Sequence, residues 1–288
     1  MTETRTPQSK RARTAAQPDG QFSDVLCAVD GRHRSFVAVE QAAILAGPQA
    51  RMTLLAVTAE TGSGVYRHAA ISPRRAERIL ERAERIAHES GVSCSGVIEP
   101  EGPPTQQVLA HAAGRDLLAL GAPATSWLGG RFLESVADGA LDVLAAPVLA
   151  ARALPAGAHR FPERILLASD GLDGSDELVD WVGRLAGEHG SSVTLLHTIG
   201  VESHARPHRI QEQANRLERA IDGACEVRVE VGAAAELIID ASKRDGSSLV
   251  VMGSRRLGGL KAIGSVSRKV VHRARCSVLL VPPDWLAG

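Results

Sequence analysis

Short, nearly unbroken apolar runs alternate along this chain with stretches whose apolar residues recur every three or four positions. ILLA at 165–168 and LVVM at 249–252 are of the first kind, the pattern of strands buried on both faces. Ile210, Ala214, Leu217 and Ile221 step by four, three and four, which marks one face of a helix. Ile79, Ala83, Ile86 and Ala87 mark another. Ser72 is placed to cap that second helix and Pro73 suits its first turn. Gly91 and Gly223 follow the two helices and are expected to close them in a left-handed conformation.

The pattern occurs twice. VLCAVDG (25–31) returns as ILLASDG (165–171), MTLLAV (52–57) as VTLLHT (193–198), LLALGAP (117–123) as LVVMGSR (249–255), and APVLAAR (146–152) as CSVLLVP (276–282). Such self-similarity predicts a duplicated domain. The expected organisation is a polar tail at 1–20, one domain at 21–153, a linker at 154–162 rich in Pro, Gly and Ala, and a second domain at 163–288. A β-α-β series in each half predicts an α/β fold with a parallel sheet, helices on both faces and right-handed crossovers. Ligands of such sheets sit beyond the carboxyl ends of the strands, where strand order reverses. The candidate site in each half is therefore the exit of strand 1, at Asp30 or Asp170, beside the exit of strand 4, at Gly121 or Gly253.

Composition narrows the function. Lys and Arg number 33 against 33 Asp and Glu, and aromatics make up 3% of the chain. Charge balance gives no general pull on nucleic acid or an anionic membrane, and few rings are available to stack on bases. No run approaches the roughly 20 apolar residues that span a bilayer. Residues 1–20 carry no stretch apolar enough for an export signal, so the expected location is cytoplasmic. The tail's Lys10, Arg11 and Arg13 read as a solvated cluster. Cys27, Cys94, Cys225 and Cys276 lack paired metal spacing and are expected to be reduced thiols.

The chemistry concentrates after strand 4 of the second half, in MGSRRLGGLKAIGSVSRKVVHRA (252–274). Gly253 permits close approach to a ligand. Gly264, Ser265, Val266 and Ser267 open a helix whose first N–H groups and positive dipole end suit phosphate. Ser265 and Ser267 add hydroxyls, and Arg255 or Arg256 can add charge-assisted bonds. Asp170 would repel phosphate and instead suits a ribose hydroxyl. Read on spacing alone, the same residues also fit a turn with an N-cap and a solvated basic loop. His197, His204 and His208 read as solvated rather than as a metal set. Walker A, GxGxxG, HExxH and GxSxG motifs are absent, so no enzyme is expected beyond slow incidental ATP hydrolysis.

These residues resemble the universal stress protein family, over nearly the whole chain from Phe22 to Pro282. Its carriers are A-[VS]-D-G after strand 1, TLL in strand 2, and MGSR followed by GSVS before the last strand. The resemblance implies two tandem Rossmann-like domains of the adenine nucleotide alpha hydrolase-like kind, each an open five-stranded parallel sheet of order 3-2-1-4-5. It implies ATP, with Mg2+ as a companion, lying across the strand ends. Nucleotide-binding members carry Gly, two residues, Gly, nine residues, then Gly-Ser or Gly-Thr. Here Gly253 and Gly264-Ser265 match, Arg256 replaces the middle glycine, and seven residues stand where the family has nine. By resemblance Ala168 and Asp170 face adenine and ribose, the Thr198 backbone meets the base, and Met252 lines its pocket. The first half keeps Asp30, the Val57 backbone and Gly121. It has Ala124 for the middle glycine and Glu134 before Ser135, a carboxylate where phosphate would approach, and Pro123 lacks a donor.

The first half is therefore expected to be a degenerate site and the second half a candidate ATP site in a stress-response or regulatory protein. A nucleotide-independent scaffold of the same fold is the alternative, favoured by the shortened loop. A nucleotide-hydrolysing enzyme is the third reading. The fifth-strand segments at 148–151 and 278–281 are the expected pairing surfaces, either between the two halves or in a homodimer. The regulatory partners and the inducing signal are not encoded in any recognisable motif.

Overall fold

The computed structural model describes residues 22–58, 71–122, 146–171, 175–199, 207–221, 225–254 and 265–286. The first half contains β1 (Asp24–Ala28), α1 (His33–Ala46), β2 (Arg51–Val57), α2 (Pro73–Glu89), β3 (Ser93–Glu99), α3 (Pro104–Ala112), β4 (Leu117–Gly121) and β5 (Val148–Ala151). The second contains β6 (Arg164–Ser169), α4 (Asp176–His189), β7 (Ser192–Ile199), α5 (Pro207–Ala220), β8 (Glu226–Val231), α6 (Ala234–Arg244), β9 (Leu249–Gly253), α7 (Ser265–Arg273), β10 (Ser277–Val281) and the short α8 (Pro283–Leu286).

All ten strands belong to one sheet, in the order β3-β2-β1-β4-β5-β10-β9-β6-β7-β8. Each half has the order 3-2-1-4-5, and every pair within a half is parallel. The halves meet through β5 and β10, which run antiparallel with Leu149 opposite Leu279. Of the two pairings left open by the sequence, the structure has the internal one, and β5 and β10 each have strands on both sides.

The central strands are buried on both faces because their sequences are nearly continuous in apolar residues. β5 and β10 are buried throughout. One apolar layer lies under α1, α2, α4 and α5, and the other under α3, α6 and α7. Both layers contain side chains of both fifth strands, so the core runs unbroken across the seam.

Polar groups fix the seam's register. The buried Ser277 hydroxyl lies 2.6 Å from Gln41 Oε1 and accepts the Arg152 N–H at 2.9 Å. Gln41 Nε2 donates to the Arg152 carbonyl at 2.8 Å. The Arg152 guanidinium crosses into the second half and donates to the Val271 carbonyl at 2.7 Å, near the end of α7. Carbonyls at a helix C-terminus lack intrahelical partners and carry the negative end of the dipole. Burial nonetheless pulls the Arg152 pKa down to about 10. Phe22, Trp181 and Trp285 form a ring cluster with centroids 5.5–5.9 Å apart. It ties the start of the first half to α4 and α8 of the second.

Ser72 takes the cap position of α2 without a side-chain capping bond. Its carbonyl instead accepts the N–H groups of Arg75 and Ala76. Pro73 opens the helix as expected, and Gly91 follows it at φ +78°. Gly223 lies outside the described residues.

Candidate functional site

The topology brings strand exits together at the reversal point of each half. In the second, β6 lies between β9 and β7, with Ala168 in register with Met252 and Ser169 with His197. Ala168, Asp170, Thr198, Met252 and Gly253 thus share one end of the sheet. Met252 is buried, Ala168 and Thr198 are half-buried, and Asp170 is exposed. The half-buried Ala168 and Thr198 thus lie near an exposed carboxylate. α7 begins at Ser265, with Val266 half-buried and Ser267 buried. Arg255, Arg256 and Gly264 lie outside the described residues, as do Gly258, Gly259 and Lys261.

A buried hydrogen-bond network, invisible in the motif pattern, braces the turn that carries Asp170. The Ser169 hydroxyl accepts the Gly171 N–H at 3.1 Å and lies 2.8 Å from Gln213 Oε1 on α5. Gln213, fully buried, donates through Nε2 to Ser175 Oγ at 2.8 Å and Asp176 Oδ1 at 2.9 Å. Arg209 closes the network on Asp176 Oδ2 at 3.0 Å. Buried cross-links of this kind favour one geometry. Gly171 has φ +66°, and a Cβ there would meet the His197 ring at 3.2 Å. The positive φ favours glycine, and the close ring adds to the cost of a side chain.

His197 corrects an expectation. It is 3% exposed rather than solvated, and burial lowers its pKa, partly offset by Asp170 and by a bond with Gln213. His208 does lie at the surface beside Glu212, and His204 falls outside the described residues. Among the described residues no group of three or more His, Cys, Asp or Glu could hold a metal ion. The four cysteines are free, and burial pushes the Cys225 and Cys276 thiols up to about 11. No described helix is long and apolar enough to cross a membrane.

The first half has the same frame with a different filling. β1 lies between β2 and β4, which places Asp30, Val57 and Gly121 at one end. Asp30 Oδ1 accepts the Arg32 N–H at 2.9 Å, and Arg32 Nε lies 3.6 Å from Oδ2. A Cβ on Gly121 would stand 2.9 Å from Arg34, whose guanidinium donates to the Ala122 carbonyl at 3.3 Å. The backbone at the start of α1 therefore packs against the β4 exit. Ala124, Glu134 and Ser135 lie outside the described residues.

Comparison with known proteins agrees with this duplicated frame. The family model described as "Universal stress protein family" matches residues 21–152 and again 162–282. Universal stress protein YxiE of Bacillus subtilis is 32% identical over 145 residues, covering 41% of this chain and 97% of that protein. A universal stress protein of Thermus aquaticus is also 32% identical, over 134 residues, covering 41% of this chain and 96% of its own length. Among solved structures, a universal stress protein from Archaeoglobus fulgidus superposes with a TM-score of 0.72 at 18% identity, covering 91% of this chain and 97% of that one. A Pseudomonas aeruginosa UCBPP-PA14 structure gives 0.66 at 16% identity over 94% and 97%. At these identities the structures speak for the fold.

Proposed function

This chain belongs to the universal stress protein family as a tandem two-unit member, and on that premise we propose that it is a cytoplasmic stress-response protein that binds ATP or a related adenine nucleotide in its second half alone. The observation that carries this reading is the juxtaposition at the second half's reversal point, where Ala168 lies in register with the buried Met252, and Gly253 and the exposed Asp170 share the same end of the sheet. Glycine at this strand exit permits close approach of a ligand. Ala168 and Met252 offer apolar contact to a base, the Thr198 backbone its edge, and Asp170 a ribose hydroxyl. Gly253, Arg255, Arg256, Gly264, Ser265, Val266 and Ser267 would take the phosphates, with Mg2+ as their companion. The nucleotide would supply charge and a bridging contact between β9 and α7. The first half, with Asp30 engaged by Arg32 and Glu134 at the sequence position where the family has glycine, would serve as a structural or regulatory partner.

The scaffold alternative rests on Arg256 in place of the middle glycine and on the seven-residue interval to Gly264. A thermal-shift titration with ATP, AMP and magnesium separates the two. Binding to the native state raises Tm with ligand concentration, by about 2.7 kcal/mol of added stability at a hundredfold excess over Kd. The expected result is a concentration-dependent rise that Gly264→Glu abolishes and Asp30→Ala leaves intact. No rise at millimolar ATP would favour the scaffold, and loss in Asp30→Ala with retention in Gly264→Glu would assign the site to the wrong half.

A further inference from the structure

β8 ends the sheet, and its exposure pattern is unusual for an edge. Val227, Val229 and Val231 are 37%, 46% and 65% exposed, three of the four exposed large apolar residues among those described. They alternate with Glu226, Arg228 and Glu230, so all three valines lie on one face. Their neighbours across β7 are Leu195, His197 and Ile199. Leu195 belongs to the apolar layer under α4 and α5. In the first half α2 covers the matching edge: a Cβ on Gly96 of β3 would touch Glu84 and Leu80. In the second half α5 is drawn against α4, where Gly183 and Gly187 admit Ala220, and the valines are left bare.

The direction of the backbone groups follows from one bond. The Gly232 N–H donates to the Ile199 carbonyl at 3.0 Å, towards β7. Strand alternation then turns the N–H and C=O groups of Val227, Val229 and Val231 outward, away from β7. An outward edge with an apolar face is a template for another strand. Its charges select which one. In an antiparallel pair about Val229, Val229 faces its own copy and Val227 faces Val231, all with outward groups. These are the positions that exchange both hydrogen bonds. Arg228 then faces Glu230 twice, at the non-hydrogen-bonded positions where side chains approach most closely. Centring the pair on Arg228 would instead set arginine against arginine. Asp245 and Arg244 already hold Arg228 and Glu230 at 2.6 Å, on the face away from the valines.

We propose that a second copy of this chain docks on β8, the two β8 strands pairing antiparallel about Val229 so that the valine faces merge and Arg228 meets Glu230 of the other copy. The fifth strands take no part, since both are paired inside each molecule. The inference is independent of nucleotide binding.

Sedimentation velocity of the full chain over a micromolar to sub-millimolar series, with and without Arg228→Glu and Glu230→Arg, tests it. Wild type is expected to dimerise. Each variant alone places like charges opposite one another and is expected to run as a monomer. An equimolar mixture restores two Arg–Glu contacts and is expected to dimerise again, which no loss of folding can mimic. Val229→Asp should be monomeric and should not be rescued by either. Amide exchange gives a second reading: Val227, Val229 and Val231 should gain protection with concentration, while Arg228 and Glu230, bonded to β7, should not. A wild type monomeric throughout, variants that dimerise alone, a mixture that does not dimerise, or open-ended polymers in place of dimers would each overturn the proposal.

Discussion

Replacing Gly183 with alanine sets two effects of opposite sign against each other, and the structure decides between them. Alanine is about 0.8–1.0 kcal/mol better than glycine inside a helix. The new methyl, however, would stand 2.6 Å from Ala220 Cβ on α5. Carbon atoms rest at about 3.5–4.0 Å, so α5 must retreat by roughly 1 Å. Ala220 has no rotamer through which to yield, since its Cβ is fixed to the backbone. Overpacking of this kind costs about 1–3 kcal/mol. The clash therefore outweighs propensity, and Gly183→Ala is expected to lose about 1 kcal/mol net. Urea unfolding should show a lower midpoint at an unchanged slope, the sign of altered stability rather than altered compactness. Adding Ala220→Gly removes the obstructing methyl and should recover most of the loss, so the pair is coupled. A rise in midpoint for Gly183→Ala would mean that α5 is not held against α4, and would remove the reason given for the bare face of β8.

Two further outcomes are expected. Ser277→Ala leaves Gln41 Oε1 and the Arg152 N–H without their buried partner, at a cost of about 1–3 kcal/mol, read by urea unfolding. No loss would show that the seam's register rests on apolar packing alone. His197, with its folded pKa lowered by burial, holds fewer protons native than unfolded below the usual histidine value of about 6.5. Its contribution to stability is complete above that value and is lost as pH falls from there through the folded pKa. His189, also lowered by burial, acts in the same direction. Tm measured from pH 7.5 to 5 should fall less steeply in His197→Gln, and an unchanged slope would refute the role of His197.

The strands buried on both faces were legible because their sequences are apolar without interruption and repeat between the halves. LLALG of β4 and LVVMG of β9 leave little choice of fold. β3 and β8 were harder to see: an edge strand has one side open to water, so SCSGVIE and EVRVEV share no repeat. The parity of β8, with a valine at every second residue, was nonetheless available. Parity would also have placed His197 inside, since it shares a strand face with Val193 and Leu195. The placement of Ala168, Asp170, Met252 and Gly253 was readable because strand exits follow from topology. The Ser169–Gln213 bond spans 44 positions, and Arg34 reaches Ala122 across 88. Only the folded chain brings those partners together, and no local pattern announces them.

The seam between β5 and β10 also governs which molecules can mix. A pairing between separate subunits is diluted by their concentration and open to exchange with any relative that presents a similar fifth strand. Here the linker at 154–162 joins the two halves, which meet at an effective concentration in the millimolar range, and both fifth strands are spent within one polypeptide. The composition of the ten-stranded sheet is therefore set at translation and not by the pool of related proteins in the cell. Each molecule carries one copy of each half, in fixed stoichiometry. A substitution in one half is never duplicated in the other by symmetry, so the two exits are free to specialise separately.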